Sequence, residues 1–260
     1  MKNDLKNARI LVVNDDGIEA EGLKALERIA CTFSDDVWVV APETEQSGAG
    51  HSLTLHDPIR LRQISEKRFA VSGTPTDCVL MAVMQIATDK QFDLVLSGIN
   101  RGANVAEDVT YSGTIAAAME ATLLDIRAIA LSMKMDDERA PNWHIVEQHA
   151  PDIIEKIFAL SWADHTLINL NFPSVSADKV KGLKICPHGR RRFAPDKLLR
   201  KTDPRGRPYY WIGGAGIEPY CEHPEADYHQ LVAGYITLTP LSLDLTHYEF
   251  LANIKAQWID

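Results

Sequence analysis

Cysteine is sparse and scattered in this sequence. Cys31, Cys78, Cys186 and Cys221 are the four among 260 residues, and no two form a C-x-x-C pair. That spacing argues against a zinc cluster or a disulfide framework, and for reduced thiols in a cytoplasmic protein. Long apolar runs are missing as well. None approaches the roughly 20 residues needed to cross a bilayer. The polar start Met1-Lys2-Asn3-Asp4 runs straight into the first predicted strand without a signal-peptide pattern, so no membrane association is expected. Excess positive charge is also lacking: 27 Lys and Arg stand against 36 Asp and Glu, a formal net charge of −9. This excludes the broad basic surface that sequence-independent binding to duplex nucleic acid relies on. A small phosphorylated substrate stays open, because a metal ion can supply positive charge locally. The one basic stretch is Arg190-Arg191-Arg192, followed by Lys197, Arg200, Lys201, Arg205 and Arg207. It reads either as a solvated loop or as a rim that attracts phosphate-rich ligands. Internal repeats and low-complexity segments are absent, and the nine histidines form no H-E-x-x-H or similar metal pattern.

What is present is the pattern of an α/β protein long enough to bury a full core. Apolar runs alternate with helical spacing through the first half, the signature of βαβ units and a parallel sheet. Strands are expected at 10–13, 37–41, 93–97, 128–132 and 166–170. Helices are expected at 22–30, 76–87, 112–124 and 143–159. Two short strands, 59–62 and 69–72, read as a hairpin beside the main sheet. Beyond Pro173 the character changes: 184–187, 208–212 and 234–239 are strand-like, separated by irregular polar stretches without clear helices. The expected organisation is a core over 1–173 and an α+β extension over 174–260, with an arm or hairpin that packs on another subunit and a returning strand or helix, all within one structural domain.

The run Ile10-Leu11-Val12-Val13 ends on Asn14-Asp15-Asp16-Gly17. In an open parallel sheet, ligands bind beyond the carboxyl ends of the strands. Two adjacent carboxylates there repel each other unless a cation lies between them. A divalent metal site at the tip of the first strand is therefore expected. The loop after the second strand brings Gln46, Ser47, Gly48 and Gly50, and the loop after Leu96 brings Ser97, Gly98, Asn100 and Asn104. Asp carboxylates, Ser hydroxyls and Asn carbonyls all suit a hard cation. Ser112-Gly113-Thr114 opens the Ala-rich helix, where free N–H groups and hydroxyls make a phosphate cradle. Metal and cradle together describe phosphoryl transfer or phosphate-ester hydrolysis. Bland readings stand beside this one: Asp15-Asp16-Gly17 as a turn and cap, Ser112 as an N-cap, Gly73-Thr74-Pro75-Thr76-Asp77 as a strand-to-helix turn.

With these residues in view, the chain resembles the SurE family (survival protein E) of metal-dependent nucleotidases. The matching stretches are Leu11–Gly17, Ser47-Gly48-Ala49, Ser52-Leu53-Thr54-Leu55, Gly73–Cys78, Ser97-Gly98-Ile99-Asn100 and Tyr111-Ser112-Gly113-Thr114. Further along come Ile168–Pro173, Asp203-Pro204-Arg205-Gly206, Tyr210-Trp211-Ile212-Gly213 and Gly234–Leu241. They cover nearly the whole chain in order.

The resemblance implies that Asp15, Asp16, Ser47 and Asn100 hold one divalent cation per subunit, Mg²⁺ or Mn²⁺. It implies phosphate held by Asn104, Ser112, Gly113 and Thr114, with Asp15 and Asp16 as the catalytic carboxylates. It also implies a Rossmann-like three-layer fold with a mostly parallel sheet, whose C-terminal extension is exchanged between subunits of a homodimer or homotetramer. The expected activity is release of phosphate from nucleoside 5′- and 3′-monophosphates, with polyphosphate as a further substrate. A water activated by the metal attacks phosphorus in line, with Asp15 favoured to orient it or take its proton. Two rivals remain at this stage: a phosphoaspartyl phosphatase with Asp15 as nucleophile, and a non-catalytic receiver-like domain. Two positions depart from the family pattern: His51 stands where a small polar residue is usual, and Ala106 where a glycine is frequent.

Overall fold

The computed structural model describes residues 5–136, 141–190, 198–212 and 223–258. In chain order the first elements are β1 (Ile10–Val13), α1 (Glu21–Phe33), β2 (Val37–Pro42), β3 (Leu61–Ser65), β4 (Arg68–Val71) and α2 (Pro75–Met81). Next come β5 (Leu94–Arg101), α3 (Gly113–Leu123), β6 (Arg127–Met133), α4 (Trp143–Phe158) and β7 (Thr166–Phe172). The last part holds β8 (Leu183–Ile185), β9 (Leu198–Thr202), β10 (Pro208–Ile212), α5 (Asp227–Val232), β11 (Ile236–Ser242) and α6 (Tyr248–Gln257).

Nine strands form one mixed sheet in the order β3-β4-β2-β1-β5-β6-β7-β11-β8. Strands β4, β2, β1, β5, β6 and β7 run parallel to their neighbours, so their carboxyl ends lie along one rim. Alternation along β1 shows why it reads as a continuous apolar run. Ile10 and Val12 pack with α1 and α4 on one face, while Leu11 and Val13 pack with α2 and α3 on the other. A strand buried on both faces has no polar side to display. The α3 helix is made of small residues, Ala116, Ala117, Ala118 and Ala121 among those buried, which lets it lie close against the sheet.

Several elements differ in detail from expectation. The pair β3–β4 is a hairpin, but β4 belongs to the main sheet, parallel to β2, and only β3 is antiparallel at the edge. The region after Pro173 does send a strand back, and it joins the main sheet itself: β11 pairs antiparallel with β7, and β8 pairs parallel with β11. That region also holds two helices, α5 and α6. The first is too short to show a period, and the second buries none of its residues. A strand was also missed: β9, which with β10 makes a separate two-stranded sheet whose residues are all exposed. Finally, α2 starts as expected, with a Thr74–Asp77 capping box and Pro75 in its first turn. Its continuation over Ala82–Ile86 adopts the wider π spacing. Arg191, Arg192, Lys197 and Cys221 lie outside the described residues.

At the amino ends of the strands one cationic side chain ties three elements together. The Arg9 guanidinium is buried and bonds Asp36 at 2.8 Å and Asp89 at 2.7 Å, while Asp93 Oδ2 accepts the Arg9 backbone N–H at 2.7 Å. Asp36 also accepts from Trp38 Nε1 and Lys67 Nζ, each at 2.9 Å. Burial works against the Asp36 charge, but the hydrogen bonds from Arg9, Lys67 and Trp38 outweigh it and hold the carboxyl at about 2. A carboxyl lowered in the folded state adds stability above its unfolded value, near 3.8, and that part is lost as pH falls through about 2. Asp36→Asn should therefore lower Tm at pH 7, and its gap from wild type should shrink between pH 4 and pH 2 in a thermal-melt series.

Candidate active site

Asp15 leaves the tip of β1 and is only 3% exposed. Burial pushes its carboxyl above the ordinary range. Two donors from the start of α3 work the other way: Thr114 Oγ1 donates to Asp15 Oδ1 at 2.5 Å, and the Thr114 backbone N–H also favours the charged form. The first turn of α3 thus faces the Asp15 carboxylate, where the helix dipole stabilises an anion. Ser112 is the N-cap: its hydroxyl accepts from the Ile115 N–H at 3.1 Å. Gly113 is required by proximity, since a Cβ there would lie 2.7 Å from Asp15 Cβ and 3.0 Å from Asp15 Oδ2.

Asp16 is half-buried beside it. Burial, then the charge of Asp15, raise its carboxyl to about 6, against a hydrogen bond from the Arg101 N–H at 3.2 Å. The third strand-tip loop therefore reaches the acidic pair one residue past Asn100. Asn100 is half-buried and directs its amide N–H at the Gly102 carbonyl, 2.9 Å away. A bulge in β5 between Ser97 and Asn100 re-aims this end of the strand. Gly98 sits in the bulge at φ +135°, and a Cβ there would collide with the Leu131 carbonyl oxygen.

The second loop is tied in by the Gln46 N–H, which donates to the Asp15 carbonyl at 2.8 Å. Next to it, the exposed Ser47 donates its hydroxyl to Glu45 Oε1 at 2.7 Å. Glu45 was not anticipated from the sequence, yet its charge raises both Asp15 and Asp16. Further along, the Gly50 N–H donates to the Tyr111 carbonyl at 3.2 Å, and His51 Nε2 lies 2.8 Å from Glu120 Oε2 on the flank of α3.

Asn104 is buried behind this rim. Its backbone N–H donates to Asn171 Oδ1 at 2.8 Å, and its carbonyl accepts from Asn169 Nδ2 at 2.8 Å and Asn171 Nδ2 at 3.0 Å. Its own amide donates to Ser132 Oγ at 2.8 Å. The two β7 asparagines thus pair with a loop backbone as a neighbouring strand would. Their i, i+2 spacing in an otherwise apolar strand was the available signal, because it places both on one face.

The structure therefore gathers Asp15, Asp16, Ser112, Gly113 and Thr114 directly, and brings Ser47 and Asn100 in through their neighbours Gln46 and Arg101. Asn104 is held slightly apart by its polar network. Among the described residues no group of three or more His, Cys, Asp or Glu is placed to hold a metal. The donor set that remains is two carboxylates with neutral oxygens, which suits a hard divalent cation completed by water. The raised carboxyls of Asp15 and Asp16, with Glu45 nearby, fit such an ion: positive charge there removes the mutual repulsion.

Three comparisons bear on this geometry. A family model described as "Survival protein SurE" matches residues 10–195. A protein of Paramagnetospirillum magneticum named 5′-nucleotidase SurE is 53% identical over 244 residues, covering 94% of this chain and 93% of that protein. One of the same name from Rhodospirillum rubrum is 52% identical over 246 residues, with the same coverage of both. The crystal structure of the SurE protein from Aquifex aeolicus superposes with a TM-score of 0.81 at 36% identity, over 95% of this chain and 98% of that one.

Protons compete with any cation held by this acidic pair, so Mn²⁺ affinity measured by calorimetry should rise as pH rises through about 6. Gly113→Ala should weaken Mn²⁺ binding by about tenfold or more, since the new methyl displaces Asp15.

Proposed function

The chain belongs to the SurE family, and on that ground, together with the strand-tip geometry, we propose that it is a 5′-nucleotidase. It is a metal-dependent phosphoric monoester hydrolase that releases phosphate from nucleoside monophosphates. The observation that carries the chemistry is the buried Asp15 carboxylate, gripped by Thr114 at the start of α3 and flanked by a second carboxyl raised to about 6.

Asp15, Asp16, Ser47 and Asn100 are the residues we assign to the divalent cation, with Mg²⁺ or Mn²⁺ the ions that suit their oxygens. Bound there, such an ion supplies positive charge for the phosphate and makes a nearby water more acidic. The protein's own groups do the rest. Thr114 fixes the rotation of the Asp15 carboxylate by bonding one of its oxygens. Asp16 is the more open of the pair, so a water beside it can reach its free oxygen and pass it a proton. This moves the base role that the sequence favoured for Asp15 onto its neighbour. The opening of α3 and the Asn104 loop are assigned to the phosphate. A water-attack route is favoured over a phosphoaspartyl intermediate because Asp15 is 3% exposed and already engaged by Thr114.

Activity on 3′-nucleotides and on polyphosphate belongs to the same proposal, as does self-association as a homodimer or homotetramer. The exposed apolar side chains of β9–β10 (Leu198, Leu199, Tyr210, Trp211, Ile212) and of the α6 region (Phe250, Ile254, Trp258) support a second copy as partner. Among the described residues no helix is long and apolar enough to cross a membrane.

Phosphate release from a panel of nucleoside 5′- and 3′-monophosphates and polyphosphate should require Mg²⁺ or Mn²⁺ and stop with EDTA. Asp15→Asn and Asp16→Asn should each lower turnover on the order of a hundredfold or more while Tm stays near wild type. Near-normal turnover in Asp15→Asn with metal present would overturn the assignment. Light scattering should give a mass above the 28.9 kDa of one chain, and truncation before Leu243 should reduce it.

A further inference from the structure

Asp227 opens α5, far along the chain from the strand-tip loops, and is fully buried. Its carboxylate accepts three backbone N–H groups, two from remote segments and one from the next residue. Ala106 donates to Oδ2 at 3.0 Å, Gly189 to Oδ1 at 3.0 Å, and Tyr228 to Oδ1 at 2.7 Å. Burying a carboxylate is costly unless such donors compensate it, so the two remote bonds hold their segments in place.

The first of these donors is the informative one. Ala106 lies two residues past Asn104 and stands at φ +50°, a conformation that residues with a Cβ rarely adopt. A strained backbone persists only where its surroundings hold it. On the sheet side, Asn169 and Asn171 grip the backbone of Asn104. On the outer side, Asp227 grips Ala106. The Gly189 segment packs on the same spot, since a Cβ on Gly189 would lie 3.6 Å from Ala106 Cβ and 2.7 Å from Asp227 Oδ1. The exposed His188 and Arg190 flank that anchor.

We propose that Asp227 is a positioning residue for the substrate phosphate. It locks the Asn104–Ala106 loop in its binding conformation and clamps the Gly189 segment against it. This rests on the reading that the Asn104 loop serves the phosphate. Asp227 acts through that loop, without touching substrate. Asp227→Asn keeps shape and size but turns an N–H₂ group toward at least one of the three N–H donors, releasing Ala106 or Gly189.

The test compares kinetics in Asp227→Asn and Gly189→Ala, with Ser34→Ala as a control. The Ser34 hydroxyl bonds the Ala8 carbonyl at the opposite end of the sheet, so its loss should lower Tm alone. In Asp227→Asn, KM for a nucleoside 5′-monophosphate and the inhibition constant of inorganic phosphate should rise together by about tenfold, the scale of one hydrogen bond to a charged group. The kcat value should stay within about threefold, as expected when binding shared by ground and transition states is lost. Gly189→Ala should shift both constants in the same direction, and it carries the test if Asp227→Asn does not fold. If both variants lower Tm as Ser34→Ala does but leave KM and the phosphate constant unmoved, Asp227 is structural and the inference fails. A wild-type protein that releases no phosphate from any nucleotide would overturn the nucleotidase reading and this inference with it, a result distinct from an active enzyme with unmoved constants.

Discussion

The hydrogen bond from Thr114 Oγ1 to Asp15 Oδ1, 2.5 Å long, joins the tip of the central strand to the first turn of the Ala-rich helix. It exists because a carboxylate buried beyond a strand end needs donors, and a helix start is where unpaired donors are available. The rest of the rim follows from that pairing. Gly113 must lack a side chain because Asp15 lies against it. The Gln46 loop must come down to the Asp15 carbonyl, and the end of β5 must bend so that the Arg101 N–H reaches Asp16. The site is a set of loops drawn in around one anion and its neighbour.

The two ends of the sheet handle charge in opposite ways. At the amino ends, Arg9 meets Asp36 and Asp89 with opposite charge in close contact, and the Asp36 carboxyl is held low. At the carboxyl ends, Asp15, Asp16 and Glu45 carry like charge, and both aspartates are pushed up. The first arrangement needs no further partner and serves stability. The second leaves charge uncompensated by the protein, which is what a site for a cation and a phosphate ester requires. Burial pushes the carboxyls of Asp36, Asp15 and Asp16 up alike; at Asp36 the hydrogen bonds from Arg9, Lys67 and Trp38 outweigh it, while at Asp15 and Asp16 nothing in the protein does.

Elements that bury a whole side or both sides were readable before any coordinates. β1 was placed to the residue, and β2, β5, β6, α1, α3 and α4 within a few residues, because their apolar positions follow the period of the element that buries them. β10, exposed throughout, was placed by its aromatic and β-branched run alone. Other elements without a buried stripe were not: β9 is exposed throughout, and α6 buries nothing. The site was legible to the extent that chemistry-bearing residues cluster at strand tips. Glu45 was missed because a single exposed acid in a polar loop carries no pattern. Asp227 was missed for a different reason, since its partners are backbone N–H groups, two of them on remote segments, which leave no trace in side-chain composition.

By itself the sequence determined the parallel α/β core, the acidic pair at the end of its first strand, and the small-residue helix opening on Ser112-Gly113-Thr114. These depend on local periodicity and on residue type. The tertiary structure decided the pairing of β11 with β7 and β8, the grip of Asn169 and Asn171 on the Asn104 backbone, and the clamp of Asp227 on Ala106 and Gly189. Those depend on which backbone groups meet across long stretches of chain, and a backbone N–H is the same in every residue that has one. Sequence therefore names the acidic pair of this site, whereas only the fold shows what holds it still.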